Sequence, residues 1–219
     1  MRRLFGAAGL AVLVTSVSFG AATPAMTGGA HDFIDGTAND GWVAAGEDQM
    51  CIFCHTPHAA KTGTDQLIPL WNHTSTTPGA FTEYSSPTLT PGQSSVGSDL
   101  TKACMSCHDG SVALDSYVGG SGDTTVITGI SAALEVDGDF SNDHPVGMIY
   151  ETSAAAEGVT GLVDSATVFG AGLLRGTLAT TATVECSSCH DVHGSDAVGG
   201  KLLRISMVNS ELCITCHVK

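Results

Sequence analysis

The hydrophobic and polar positions along the chain rarely follow the regular spacing of long helices or strands. Apolar residues recur at helical spacing only in short stretches, of which Ser98 to Ser106 is one, and Thr124 to Ile130 predicts a short strand. The glycines and small polar residues of 119–123 predict a loop between two halves of the chain. The sequence therefore predicts a mostly irregular chain with short α-helices and minimal β structure.

One long apolar run lies near the N-terminal end. Arg2 and Arg3 precede an uncharged segment from Leu4 to Phe19, and small residues fill most of 20–25. A basic start, a short apolar run and a small-residue site are typical of a secretory signal peptide. The run is also shorter than the ~20 apolar residues of a membrane-spanning helix. We expect this segment to direct export and not to anchor the chain.

Removal of the signal defines the expected mature chain. The small residues place cleavage after Ala22 or Ala25, within a signal peptide of residues 1–25. No second apolar segment approaches the length of a membrane span, so residues 26–219 are expected to form a single domain without one. The expected destination is the cell surface or the extracellular space, with the periplasm as the alternative.

The chain is acidic and poor in the side chains that usually build a core. Its formal net charge is -14, only 14% of its residues are charged, and 5% are aromatic. Nucleic-acid binding requires clustered Lys and Arg to neutralise phosphates, and the chain has no such cluster, which excludes nucleic acid as a partner. A core made of amino-acid side chains alone would be thin.

The cysteines indicate what fills this core. All eight fall into four pairs of the form Cys-x-x-Cys-His: Cys51, Cys54 and His55; Cys104, Cys107 and His108; Cys186, Cys189 and His190; Cys213, Cys216 and His217. This is the attachment motif of c-type haem. Two thiols one helical turn apart bond to the two vinyl groups of one haem, and the His that follows binds the iron as its proximal ligand. The sequence predicts four covalent haems.

Three other uses of paired Cys are less consistent with this pattern. Structural zinc gives no reason for a His after every pair. Four disulfides within Cys-x-x-Cys turns would connect no distant segments. A thioredoxin-like redox pair would occur once. We therefore expect haem and no zinc, with haem pairs at 51–108 and 186–217 and the macrocycles forming the core on which folding depends.

Five further His are candidates for the sixth position of the four irons: His31, His58, His73, His144 and His193. His58 and His193 each follow a proximal His by three residues, and such side chains share one face of a helical turn. Two axial ligands approach one iron from opposite sides, so His58 cannot complete the haem held by His55. We expect both to bind haems attached elsewhere, which brings haems into close contact.

The remaining three candidates differ in their local sequence. His144 precedes Pro145, and a residue before proline avoids the helical region, which suits a side chain that projects onto an iron. His31 lies near the expected mature N-terminus, which iron ligation would anchor. His73 has an alternative role as a polar residue beside Trp71. One of the five His is expected to be idle.

Methionine is the alternative sixth ligand. Met148 and Met207 are candidates, but the supply of His makes them unnecessary. With His on both sides of every iron, we expect low-spin irons whose potentials are lower than those of His/Met cytochromes.

Five segments carry a resemblance to a known family. They are 51–59 (Cys-Ile-Phe-Cys-His-Thr-Pro-His-Ala), 69–73 (Pro-Leu-Trp-Asn-His), 107–116 (Cys-His-Asp-Gly-Ser-Val-Ala-Leu-Asp-Ser), 142–146 and 186–193. The chain resembles the exported tetrahaem c-type cytochromes of metal-reducing bacteria, some of which polymerise into outer-surface nanowires. The resemblance implies bis-His ligation, little regular secondary structure and electron conduction. In filament-forming members it also implies an iron ligated by a His of the neighbouring subunit.

The expected function is electron transfer, because an iron with both axial positions filled cannot bind a substrate. The leading hypothesis is a subunit of an extracellular conductive filament that passes electrons to redox proteins or external acceptors. A His shared between subunits, for which His31 is the candidate, would fit an open head-to-tail polymer. The alternatives are a monomeric periplasmic electron shuttle and a multihaem reductase with one open iron. The supply of His argues against the reductase, so no enzyme activity is expected.

Overall fold

The computed structural model describes residues 26–35, 43, 47–60, 68–75, 81–87, 98–120, 122, 139–150, 161–178, 182–194 and 202–218. The expected signal peptide of residues 1–25 and the expected strand of residues 124–130 lie outside this part of the chain. Among the described helices, none is long and apolar enough to cross a membrane.

Regular secondary structure in the described part is short. The helices are a 3-10 helix at Met50–Phe53, α1 at Asp99–His108, α2 at Ser165–Gly170, α3 at Cys186–Cys189, a 3-10 helix at Val208–Ser210 and α4 at Glu211–Cys216. Two strands, β1 at Met148–Ile149 and β2 at Thr183–Val184, pair antiparallel with Met148 opposite Val184. Turns and irregular segments connect these elements. Helices α1, α3 and α4 each overlap one haem motif, namely the second, the third and the fourth.

Helix α1 carries the second Cys-x-x-Cys-His motif. The Ser98 side chain caps its N-terminus by accepting a hydrogen bond from the backbone N–H of Thr101 at 3.1 Å. The helix ends at His108, and Gly110, which follows the C-cap residue Asp109, has a φ of 69° in the left-handed region that glycine adopts readily. The apolar pattern predicts a helix over 98–106, and the helix instead continues to His108, because the motif itself adopts helical geometry.

The C-terminal half packs around the two-stranded sheet. Its buried residues are Met148, Tyr150, Val168, Leu173, Leu174, Ala182 and Val184. The Tyr150 hydroxyl donates to the carbonyl oxygens of Val163, at 2.7 Å, and Cys216, at 3.1 Å. A buried hydroxyl needs such partners, and here they connect strand β1 to the last haem motif.

The N-terminal half contains three smaller apolar clusters. Phe33, Phe53 and Leu114 form the first, Ile68, Trp71 and Ala103 the second, and Met105 and Phe140 the third. Cys54 packs against the first two clusters and Cys107 against the first. Apolar packing in the described residues is thus divided into small groups, several of which lie against the Cys of haem motifs.

Candidate haem sites

Each Cys-x-x-Cys-His motif forms a helical turn. In three motifs the backbone N–H of the proximal His donates to the carbonyl oxygen of the first Cys: His55 to Cys51 at 2.8 Å, His190 to Cys186 at 3.1 Å, and His217 to Cys213 at 2.8 Å. In the second motif, His108 is the last residue of α1. Residues three apart on such a turn lie on one face, so both thiols of a motif can bond to one haem.

The backbone of each of three proximal His pairs with a segment outside its own motif. Isolated antiparallel bridges join His55 to Trp71, His190 to Leu203 and His217 to Leu162. The ring of His55 is also oriented, because its Nδ1 lies 2.8 Å from the carbonyl oxygen of Pro69. A carbonyl oxygen only accepts, so Nδ1 is the protonated nitrogen and Nε2 is left for a metal.

The thiols of three motifs are buried enough to change their acidity. Burial raises the pKa of Cys54 to about 11, that of Cys107 to about 12 and that of Cys216 to about 11. Only the thiolate is nucleophilic, so these thiols react poorly in the folded chain.

Three of the proximal His face a second His ring. The ring centroids of His55 and His193 are 6.3 Å apart, those of His108 and His31 are 6.1 Å apart, and those of His217 and His144 are 6.3 Å apart. The planes meet at 26°, 88° and 74°, respectively. In every pair the two residues come from different segments of the chain.

These spacings match the ligand geometry of a six-coordinate iron. Two imidazoles bound to opposite sides of one metal through bonds of about 2 Å have ring centroids about 6 Å apart. Both ring planes contain the ligand axis, so the angle between the planes is free. The three His pairs therefore have the ring separation that an iron bound between two imidazoles would need.

The ring of His31 is the most strongly perturbed of the distal candidates. Its Nδ1 is buried and has no hydrogen-bond partner. Burial, followed by the nearby rings of His108, His190 and His193, lowers the pKa of His31 to about 4. The imidazole is therefore neutral near pH 7, the form that binds metals. An unpartnered buried ring nitrogen is costly without a ligand, which fits a site that contains an iron.

His144 is oriented in the same manner as His55. Its Nδ1 lies 3.0 Å from the carbonyl oxygen of Pro145, which leaves Nε2 for a metal. Desolvation by burial, followed by the nearby His144, lowers the pKa of His217. The extended segment expected from Pro145 therefore brings His144 to the last motif.

His73 has a different environment. It is 1% exposed, and its two ring nitrogens lie 3.0 Å from the carbonyl oxygens of Thr74 and Ala113. Its Nε2 is also 3.7 Å from the sulfur of Cys107. Both nitrogens of His73 are thus directed at backbone acceptors, and its backbone forms an isolated bridge with Tyr117. The side chain connects two segments beside the second motif.

His58 is exposed at the surface. The hydroxyl of Thr56 donates to the carbonyl oxygen of His58 at 2.7 Å, which shapes the turn that follows the first motif. The alternative methionine ligands are placed differently from the paired His. Met148 is buried in the apolar cluster of the C-terminal half, and Met207 is 52% exposed.

Polar residues around the third motif were not singled out from the sequence. Glu185 is 2% exposed and directly precedes Cys186. Arg175 and Arg204 both donate to the carbonyl oxygen of Ser187, inside the motif, the latter at 2.8 Å. They are the two Arg that follow Arg3 in the sequence. Arg is rare in this acidic chain, and that rarity is the sequence feature that could have pointed to these two residues. Only the fold shows that both donate to the same carbonyl oxygen.

Comparisons with known proteins agree with the motif geometry. A family model described as a doubled CXXCH motif matches residues 179–219, which contain the third and fourth motifs. Over these residues the chain is similar to multihaem c-type cytochromes. Its CXXCH motifs indicate covalently bound c-type haem and a role in electron transfer. A search of the curated proteins finds no match.

Proposed function

We propose that this protein transfers electrons through four c-type haems, each with two axial His ligands. The observation that carries the proposal is the set of three His pairs with ring centroids 6.1 to 6.3 Å apart. Each pair contains the proximal His of one motif and a His from another segment. A chain that attached haem only through its motifs would not need a second His opposite each proximal one.

Three ligand sets follow from these pairs. The first motif uses His55 and His193, the second uses His108 and His31, and the fourth uses His217 and His144. His193 belongs to the Cys-x-x-Cys-His-x-x-His run of the third motif, so that run contributes to two haems. The first and third haem sites are thereby connected through one ligand.

The fourth ligand set is obtained by elimination. His190 is the remaining proximal His, and His58 and His73 are the remaining candidates. Both ring nitrogens of His73 face carbonyl oxygens, whereas His58 is exposed on the segment that follows the first motif. We assign His58 to the haem of the third motif and leave His73 as the idle His. The first and third motifs then exchange distal ligands.

The chain's residues determine what chemistry is available. Each bound haem supplies an iron that alternates between the ferric and ferrous states. The paired His fill both axial positions, exclude substrates from the metal and keep its geometry the same in both states. Hydrogen bonds from Nδ1 to carbonyl oxygens hold the rings of His55 and His144 in place. Such sites favour electron transfer over catalysis.

The spin state of the ferric holoprotein tests this proposal. Electron paramagnetic resonance is expected to show low-spin iron throughout, because every iron has two imidazole ligands. One full equivalent of high-spin iron in the native protein would show an open position and would favour the reductase.

We further propose that the chain polymerises into an extracellular filament, so that the electron path continues from one subunit to the next. Exposed apolar side chains support an interface near the last motif: Met207, Val208, Ile214 and Val218 are 52%, 69%, 44% and 55% exposed. These four define the C-terminal apolar surface. His31 has a ring partner in its own chain, so this polymer does not require His31 to be shared between subunits. The net charge of -14 opposes assembly unless salt screens it.

Particle size separates the filament from the monomeric periplasmic shuttle. Electron micrographs of native protein at high concentration are expected to show filaments, and Val208→Glu is expected to shorten them by placing a charge in the C-terminal apolar surface. Gln49→Glu, which adds the same charge at an exposed position outside that surface, is the control. Protein that stays monomeric at high concentration and moderate salt would leave the shuttle as the function.

A further inference from the structure

Cys186, the first Cys of the third motif, lies beside helix α1, which contains Cys104 of the second motif. Before haem attachment, a hydrogen bond to Cys186 raises the pKa of Cys104 and lowers that of Cys186; attachment would remove both S–H groups, so the packing of the two helices provides the connection. Cys186 also contacts the hydroxyl of Thr101 at 4.0 Å. Each sulfur is the first attachment point of its motif. The protein therefore holds together one edge of the second haem site and one edge of the third.

A buried carboxylate joins the two helices that carry these thiols. Glu185 accepts hydrogen bonds from the hydroxyls of Ser98, at 2.6 Å, and Thr101, at 2.5 Å. Both donors belong to the first turn of α1, and Glu185 is the N-cap residue of α3. A buried carboxylate is unfavourable unless hydrogen bonds replace its lost hydration, and hydroxyl donors supply them.

Glu185 also fixes the turn of the third motif itself. Its side chain accepts from the backbone N–H of Ser188, while its own backbone N–H donates to the Ser188 hydroxyl at 2.9 Å. This reciprocal pair is a capping box, which satisfies N–H groups at the start of a helix. One side chain therefore sets the conformation of α3 and its contact with α1.

Two arginines hold the third motif from the Ser187 side of α3. Nε of Arg175 donates to the Ser187 hydroxyl at 2.9 Å, and Nε of Arg204 donates to the Ser187 carbonyl oxygen at 2.8 Å. Arg175 is itself held by the carbonyl oxygen of Gly172 at 2.8 Å. The guanidinium groups therefore fix α3 at Ser187, and Glu185 fixes it to α1 at its N-terminus.

We propose that Glu185 is a positioning residue that holds the second and third haem sites edge to edge, so that this junction connects the two halves of the electron path. The inference rests on the proposed function, since it assigns a spatial order to haem sites that the function requires. The Glu185 junction connects the second and third sites, in addition to the proposed ligation by His193, which connects the first and third sites.

The test uses the holoprotein and the circular dichroism of its haem absorption band. Closely placed haems couple their transitions and give a two-signed signal that depends on their relative geometry. Thr101→Val keeps the shape of the side chain but removes a donor to Glu185, and Glu185→Ala removes the connection entirely. Both variants are expected to weaken or reshape this signal while four haems stay attached and low-spin. Thr101→Ser keeps the hydroxyl and is expected to preserve the native signal.

Glu211→Gln provides the matched control, because Glu211 precedes the fourth motif in the first turn of α4 but is exposed. It is expected to leave the signal unchanged. If Glu185→Ala and Thr101→Val give the native signal with four haems attached, Glu185 does not position the junction and the inference is wrong. If the unaltered protein itself carries fewer than four haems or contains a high-spin iron, the proposed function fails independently of Glu185.

Discussion

The imidazole rings of His55 and His193 lie 6.3 Å apart and within 26° of parallel, although they belong to the first and third attachment motifs. His193 follows His190 by three residues, but His190 ends α3 in an extended conformation, so the two side chains do not share one helical turn. The ring of His193 instead faces the proximal ligand of another motif. This pair therefore connects the N-terminal half of the chain to the C-terminal half.

His193→Ala is expected to open the iron of the first motif. The variant should keep four haems but give one equivalent of high-spin ferric iron by electron paramagnetic resonance, because a single axial His leaves the sixth position to water. A background with Cys51→Ser and Cys54→Ser lacks the first haem, and there His193→Ala is expected to add no high-spin signal. A high-spin signal that persists in that background would assign His193 to a different haem.

His73→Ala is expected to affect stability and not ligation. It removes a fully buried ring that contacts the carbonyl oxygens of Thr74 and Ala113. A neutral imidazole donates from one nitrogen only, and losing that buried hydrogen bond costs about 1–3 kcal/mol, which denaturant unfolding of the holoprotein would measure. His58→Ala should show the opposite pattern, with a high-spin iron and a smaller loss of stability. High-spin iron in the His73 variant would make His73 a ligand and His58 the idle residue.

Asp32→Ala is expected to loosen the turn that presents His31. The carboxylate of Asp32 accepts hydrogen bonds from the backbone N–H groups of Gly28 at 2.7 Å, Ile34 at 3.1 Å and Asp35 at 3.1 Å. These bonds lower the pKa of Asp32, with that of Gly28 contributing most. The variant should raise the high-spin fraction of one haem. Asp35→Ala, which leaves the three N–H groups in place, is the control and should have little effect.

The mass of the purified holoprotein tests the number of haems. All eight Cys lie in attachment motifs, so the intact mass is expected to exceed that of the processed polypeptide by four haem masses. Cys104→Ser with Cys107→Ser should reduce the excess to three and lower the temperature of unfolding, because apolar packing at this motif is divided among small clusters. An excess of three or fewer in the unaltered protein would contradict the count.

The chemistry of the attachment sites could be predicted from the sequence, but much of their spatial arrangement could not. A Cys-x-x-Cys-His spacing already specifies one helical turn with a His at its end, and the family match over 179–219 confirms the c-type haem assignment for the last two motifs. The same-face argument for His193 assumed a helical turn, whereas the helix ends at Cys189 and His190 is extended. The specific partners of His31 and His144 could not be predicted, because they depend on how irregular segments return to α1 and to the last motif.

The role of Glu185 was also beyond sequence reasoning. Its donors Ser98 and Thr101 are distant in sequence, and acidic residues are common in this chain, so no local pattern distinguishes a buried carboxylate from an exposed one. The idle His was equally undetermined. His73 is distinguished by its burial and by the carbonyl oxygens beside its two ring nitrogens, both of which depend on the tertiary structure.

An experimental density map of the ferric holoprotein would show which side chains bind each iron. The iron attached through Cys51 and Cys54 is expected to have His55 on one side and His193 on the other. His31 is expected to face His108, His144 to face His217, and His73 to bind no iron. A map in which water, a methionine or His58 occupies the position opposite His55 would overturn this ligand assignment.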